Sequence, residues 1–341
     1  MTRSDAPLVS VVTPVYNGAD FLAECIESVL SQTYERFEYI ILNNCSTDST
    51  LEIAHRYAQK DDRVRVYTND SFVGVIENHN LVAKLISPES KYCKFVSADD
   101  LILPECLTRM VDLADANPTV GMVSAYMVAG KQVMNVGLEY EKKVVSGHDI
   151  CRATLLGGPY VFGSPTSLMY RADLLRKSGD FFPNENNTNN PHADTTACYL
   201  WLADSDFGFV HQVLCYARIH AESQTSRSIT LGINKLARIG DLRRFGPNHL
   251  SRSELLKRQS ELLDWYYGWL PRALMEHAGE KEFWQFQKSA LQQMGLELSL
   301  TRLLKAFLRR AFTALLKPVE SARKVLALVR SKGGVRAQYY D

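Results

Sequence analysis

Two adjacent carboxylates, Asp99 and Asp100, end the stretch YCKFVSADD (92–100). Like charges side by side raise each other's pKa, so the pair is costly unless something offsets the repulsion. A hard divalent cation would do so, because such ions take carboxylate oxygens and bridge them to phosphates. The position suits that chemistry. Tyr92, Phe95 and Val96 form a β-type run, and ligands of open α/β sheets bind beyond the carboxyl ends of strands. The same acids would also suit a helix opening at Leu101-Ile102-Leu103-Pro104, one as its N-cap and the other on its dipole. The pair alone leaves both readings open. A further acid, Asp194, stands at the exit of FFPNENNTNNPHADTT (181–196). That stretch is too long and polar for core and is of the kind that forms binding loops or lids.

The elements needed to position these groups can be read in order. Residues 8–13 (LVSVVT) are short, β-branched and closed by Pro14, as in a buried strand. After the loop PVYNG, residues 19–32 place Phe21, Leu22, Cys25, Ile26, Val29 and Leu30 at amphipathic-helix spacing. A second strand over 37–42 runs into NNCSTDST, where Ser46 or Thr47 could cap the next helix. A third strand over 64–67 precedes a helix from about Val75 to Ile86, and the Tyr92 strand comes fourth. This alternation predicts an α/β fold, a mostly parallel sheet flanked by helices. Residues 161–170 (VFGSPTSLMY) read as a strand interrupted by Gly and Pro, suited to close approach by an acceptor, and 171–179 as a helix ended by Gly179. The run FGFVHQVLCYARIH (207–220) reads as a last strand, with His211 structural within it.

In order and spacing, PVYNG after strand one, NNCSTDST after strand two and SADD after strand four resemble a family 2 glycosyltransferase with the GT-A nucleotide-sugar-binding fold. The resemblance covers roughly residues 7–225. A dinucleotide-binding protein would instead carry a glycine-rich turn after strand one, where this chain has a single glycine. The resemblance implies an inverting, metal-dependent enzyme of the bacterial surface-polysaccharide type. It would move a hexose or N-acetylhexosamine from a nucleoside-diphosphate sugar, UDP favoured, to a glycan or lipid-linked acceptor. Pro14, Tyr16, Asn17, Asn43, Ser46 and Asp99 would then contact the donor nucleotide. Asp100, with Asp99, would hold Mg2+ or Mn2+, which neutralises charge on the leaving diphosphate. The family usually has an aspartate where this chain has Asn43; an amide can accept from a base imide but also donates and carries no charge. Asp48 is either a loop-orienting residue or a helix-dipole partner. Asp194 matches the family's catalytic base, with a capping role as the plain alternative and His192 and Glu185 as rivals. Arg218 could reach the diphosphate and His220 the metal, although a lone histidine more often serves structure.

At 341 residues, with 46% hydrophobic and 23% charged residues and a net charge of +1, composition is that of a soluble globular protein. Seven scattered cysteines without a CxxC pair fit reduced thiols in a cytosolic protein. MTRSDAPLVS is no signal segment, and no run is long enough to span a membrane. The catalytic domain is expected over 1–225 and a helical C-terminal extension over 226–341. Aromatics such as those of LLDWYYGWLPRALMEH would pack the extension's helices on the catalytic domain or line an acceptor groove. Between Leu300 and Arg336 ten basic residues face a single acid, Glu320. The basic amphipathic tail, about 300–332, suits a helix lying on an anionic membrane leaflet, with dimer or domain packing as alternatives. The expected location is therefore cytoplasmic, peripheral on the inner face of the cell membrane. Nothing resembles a nucleic-acid module. Two rivals stand beside the transferase: a nucleotidyltransferase, which should show a basic glycine-rich loop after strand one, and a non-catalytic nucleotide-sugar scaffold.

Overall fold

The computed structural model describes residues 6–177, 179–183, 192–220, 232–277 and 279–316. The chain divides into two compact units, Met1–Ile219 and His220–Asp341.

The first unit is an α/β sandwich whose sheet has the order β3-β2-β1-β4-β9-β6-β10-β5. Its first half alternates strand and helix: β1 (Leu8–Val15), α1 (Leu22–Leu30), β2 (Phe37–Asn43), α2 (Thr50–Ala58), β3 (Val64–Thr68), α3 (Val75–Ala83) and β4 (Ser90–Phe95). These four strands pair in parallel, Val9 to Val15 lying beside Phe37 to Asn43 in unbroken register. β1 and β2 are buried almost end to end, which is why they read as continuous apolar runs. The sheet is mixed beyond β4. It continues with β5 (Leu101–Ile102), α4 (Cys106–Ala116), β6 (Val120–Ala129), β7 (Gln132–Met134), β8 (Val144–Val145), α5 (Gly147–Leu155), β9 (Leu168–Arg171), α6 (Ala172–Lys177), α7 (Ala193–Trp201) and β10 (Asp206–Ala217). β9 enters antiparallel between β4 and β6, while the long β6–β10 pairing is parallel.

Four local expectations are corrected. Leu101-Ile102-Leu103 does not open a helix; it pairs antiparallel with β10, and the Leu103 amide donates to the Leu214 carbonyl at 2.8 Å. The exposed edge of β10 offers this apolar triplet a ladder, and the helix waits until Cys106. Neither Ser46 nor Thr47 caps α2. That helix starts at Thr50, whose amide donates to Asp48 Oδ1 at 3.0 Å. Within 161–170 only residues 168–170, the start of β9, are strand, preceded by a 3-10 turn over Pro165–Ser167. Gly163 (φ +74°) is there for the protein's own packing, since a Cβ would sit 2.1 Å from Ser167 Oγ. The loop expected to be too polar for core begins with two buried residues, Phe181 and Phe182. Phe181 stacks with Phe95 and Trp201 and meets Tyr170 edge-on, Phe182 meets Phe95 edge-on, and Asn80 clamps the Phe182 backbone by both its groups.

The second unit holds four described helices: α8 (Ile233–His249), α9 (Arg252–Glu276), α10 (Lys281–Gln293) and α11 (Leu300–Leu316). Ser251 and Glu254 form a reciprocal capping box that starts α9. Leu262, Tyr266, Tyr267 and Leu270 of α9 are buried, as are Leu236, Ile239 and Leu242 of α8 and Phe283 and Leu291 of α10. Among the described residues, no helix is long and apolar enough to cross a membrane.

Candidate active site

The carboxyl ends of β1, β2 and β3 build a cradle of interlocked loops. Pro14 sits within β1 opposite Leu42. Asn17 takes a left-handed conformation (φ 49°) that turns the chain out of the strand. Its amide donates to Ser46 Oγ at 2.9 Å, and its side-chain carbonyl accepts the Thr47 amide at 2.8 Å. The next two amides are also taken, Gly18 N–H by Thr50 Oγ1 and Ala19 N–H by Asp48 Oδ2. Asp48 thus pins both loops. Burial alone would raise its carboxyl, but the donors at Thr50 and Ala19 hold it below the usual range. Asn43 is buried at the tip of β2; its carbonyl oxygen accepts the Ser46 amide at 3.1 Å. Asn44 accepts from Asn69 Nδ2 and the Val73 amide and donates to the Val73 carbonyl. The amide at the position where the family usually carries a charge is therefore also a loop-shaping residue, with one lone pair left on its oxygen. Above this floor, Tyr16 is 48% exposed and meets Phe72 edge-on, ring centroids 4.8 Å apart.

Beyond β4 the acidic pair is built into the protein asymmetrically. Asp100 is buried, Oδ2 accepting the Thr166 hydroxyl at 2.6 Å and Oδ1 the Arg218 amide at 3.1 Å. Desolvation, then the neighbouring Asp99, push its carboxyl up to about 7 against those two hydrogen bonds. The Arg218 guanidinium donates to the Asp99 carbonyl at 3.1 Å, pairs with Glu24 at 3.0 Å and lies over the Phe21 ring. Arg218 thus stands beside the acidic pair. Each Asp100 oxygen retains a lone pair, so the pair can give a hard cation one or two carboxylates, the usual protein share when phosphates supply the rest. Among the described residues, no group of three or more His, Cys, Asp or Glu converges as a protein-only metal cage.

Asp194 lies in the first turn of α7, half-buried, and its Oδ1 accepts the amide of Thr195 at 2.7 Å. The N-cap position belongs to His192, which makes no side-chain cap. Burial raises the Asp194 carboxyl, only partly offset by the nearby His192 and the Thr195 amide. A raised carboxylate is a stronger base, the property a proton acceptor needs. The segment 160–167 ties this acid to the other pair: Tyr160 hydrogen-bonds the Thr195 hydroxyl at 2.7 Å, and Thr166 holds Asp100. Glu185, the rival base, lies outside the described residues, and His220 begins the second unit. His211 is held inside β10 by the Tyr126 hydroxyl and the Lys142 carbonyl, each at 3.0 Å.

Two residues escaped the sequence reading. Thr166 gives no local signal, because its partner is 66 positions away. Phe72 could have been noticed as a large apolar residue inside the polar loop NDSFVG; it is 61% exposed.

Residues 10–179 match the family model described as glycosyl transferase family 2. An uncharacterised glycosyltransferase of Haemophilus influenzae is 28% identical over 232 residues, 65% of this chain and 68% of that protein. The structure of Staphylococcus aureus TarS 1-349 in complex with UDP-GlcNAc aligns with a TM-score of 0.60 at 19% identity, covering 84% of this chain and 80% of that one. The mannosyltransferase PcManGT from Pyrobaculum calidifontis, in complex with GDP-Man and Mn2+, aligns with a TM-score of 0.52 at 17% identity, covering 95% and 85%. Both share the GT-A fold with this chain. The matched segment runs from within β1 to just past α6 and takes in the whole cradle and the acidic pair: the chain belongs to glycosyltransferase family 2 and is a glycosyltransferase.

Proposed function

We propose that the enzyme transfers a hexose or N-acetylhexosamine, with inversion, from a nucleoside-diphosphate sugar to a hydroxyl of a glycan or lipid-linked saccharide. UDP is the favoured nucleotide, and the working place is the cytoplasmic face of a membrane. The observation that carries this reading is the bridge over 160–167, joined at one end to Asp100 and at the other to Thr195 beside Asp194. In this reading one segment positions both the donor-side acid and the acceptor-side base.

In this reading the nucleotide lies on the cradle of Pro14, Tyr16, Asn17, Asn43 and Ser46, and Asp99 faces its ribose. Arg218 lies toward the diphosphate. Asp99 and Asp100 would hold Mg2+ or Mn2+; the raised Asp100 carboxyl is the kind of group a hard cation relieves. When bound, the ion supplies Lewis-acid neutralisation of the leaving diphosphate. Asp194 removes the acceptor's proton as its oxygen attacks the anomeric carbon from the face opposite the departing nucleotide. The UDP-GlcNAc bound to TarS and the GDP-Man and Mn2+ bound to PcManGT support a donor and metal of these classes.

Asp194→Asn tests the assignment. Transfer should fall by about 10²–10⁴-fold with donor affinity unchanged, measured by product formation and by donor titration separately. A variant that still transfers at wild-type rate would move the base elsewhere. The pH profile gives an independent check. The base form of Asp194 exists only above its raised pKa, so the acid limb of kcat/KM should lie above the range of an ordinary aspartate.

A further inference from the structure

Helix α11 packs one narrow flank, Leu303 and Ala306, within its unit, where Arg302 also pairs with Asp264 of α9 at 3.2 Å. Its opposite side is apolar and open. Leu300, Leu304, Leu308, Phe312 and Leu315 are each 61–79% exposed, with Phe307 at the margin. At 100° per residue these positions span about a third of the helix circumference, a continuous face rather than scattered residues. Lys305, Arg309 and Arg310 are also exposed, and the helix carries no acid.

We infer that this face inserts into the interface of an anionic lipid bilayer, with α11 lying parallel to the membrane plane. Charge selects the occupant. A second copy of the chain would set three exposed cations (Lys305, Arg309, Arg310) against the same three. The chain's own residues 317–341 would add Lys317, Arg323, Lys324, Arg330, Lys332 and Arg336 against only Glu320 and Asp341. Both raise the local repulsion, whereas an anionic leaflet offers apolar depth under a negative surface and satisfies the apolar and the basic residues together. A helix of 17 residues is about 25 Å long, and its cations exclude a spanning position. This inference deepens the proposed reading by naming the surface on which a lipid-linked acceptor is met, and it rests on that reading only for the acceptor.

The test is co-sedimentation of the full-length protein with phosphatidylglycerol–phosphatidylcholine vesicles and with phosphatidylcholine vesicles, alongside the triple variant L304E/L308E/F312E. The three side chains are exposed, so the variant should fold; its UDP-sugar affinity and thermal transition serve as controls. The expected result is binding to the anionic vesicles, weakened by salt, weaker on the neutral ones and reduced at least about tenfold in the variant. Wild type left in the supernatant with anionic vesicles overturns the inference. Equal binding to both vesicle types overturns it too, as does a wild-type dimer that the variant dissolves without any vesicle binding. If vesicle binding is as expected but no nucleotide sugar binds, the catalytic reading falls and the membrane surface stands.

Discussion

Two buried carboxylates at opposite ends of the same sheet are treated in opposite ways. Glu38, near the start of β2, is 5% exposed and receives the Ser10 hydroxyl, the Ser87 amide and hydroxyl, and Arg65 at 2.9 Å. Desolvation is the largest single influence on it and pushes upward, yet these donors together outweigh it and hold the carboxyl below its usual range. Asp100, beyond the end of β4, has two donors, an acidic neighbour and a carboxyl pushed up to about 7. At the amino ends of the strands the protein completes its own charge. At the carboxyl ends it leaves one under-compensated, so a ligand that completes it gains what the fold withheld.

The most severe break of that contrast is Asp100→Ala. If the charge is kept for a metal and diphosphate, metal-dependent donor binding should vanish and transfer fall on the order of 10³-fold, the several kcal/mol of a Lewis-acid contribution. Stability should move the other way. A folded-state pKa above the unfolded value means that the wild type loses stability as pH rises from the ordinary aspartate range through about 7. The metal-free variant should therefore melt no earlier than metal-free wild type at pH 8, read by thermal denaturation without metal. Donor binding that stays metal-dependent in the variant would refute the assignment.

A gentler cut removes only the support. Thr166→Val keeps volume but deletes the hydroxyl that reaches Asp100 Oδ2 and accepts the Ser97 amide. Groups that orient ligating carboxylates typically change metal affinity about 10–100-fold. Manganese affinity, measured directly by titration with donor present, should drop within that range, and Thr166→Ser should restore it. A valine variant with wild-type affinity would reduce Thr166 to packing.

How far the sequence discloses this division depends on the range of the interactions. Asp99, Asp100, Asn43 and Asn17 stand out because each ends or closely follows a strand whose apolar run is legible within a few residues. The alternation from β1 to β4 follows from the same local periodicity, and so the α/β architecture was readable. Leu101-Ile102 was misread because its partner, β10, lies more than a hundred positions away, and a short apolar triplet before proline has no periodicity of its own. The support given by Thr166, and the aromatic approach of Phe72 to Tyr16, come from loop ends that meet only after the sheet is ordered. Asn43 shows a middle case. Its place was legible, but not the hydrogen bond by which it shapes its own loop.

Phe72 sharpens the contrast at the rim of the site. An exposed aromatic pair is unused contact area, and a nucleobase entering beside Tyr16 would cover it. Phe72→Ala should weaken UDP binding by up to about tenfold, the usual worth of one aromatic contact, while kcat with saturating donor stays unchanged. Calorimetric titration of UDP decides it; equal affinity would leave Phe72 outside the site.

The smallest expected effect concerns the other end of the sheet. Because the Glu38 carboxyl is held low when folded, its contribution is present above the ordinary glutamate pKa and is lost as pH falls through the lower, folded value. Glu38→Gln removes that ionisation while preserving shape, so the variant should be less stable than wild type at neutral pH and the gap should close on acidification. Activity per folded molecule should not change, since Glu38 lies at the end of the sheet remote from Asp100. Chemical denaturation at a series of pH values reads the gap directly. A constant gap would mean that Glu38 acts through packing rather than charge, and the difference between the two ends of the sheet would then be one of shape.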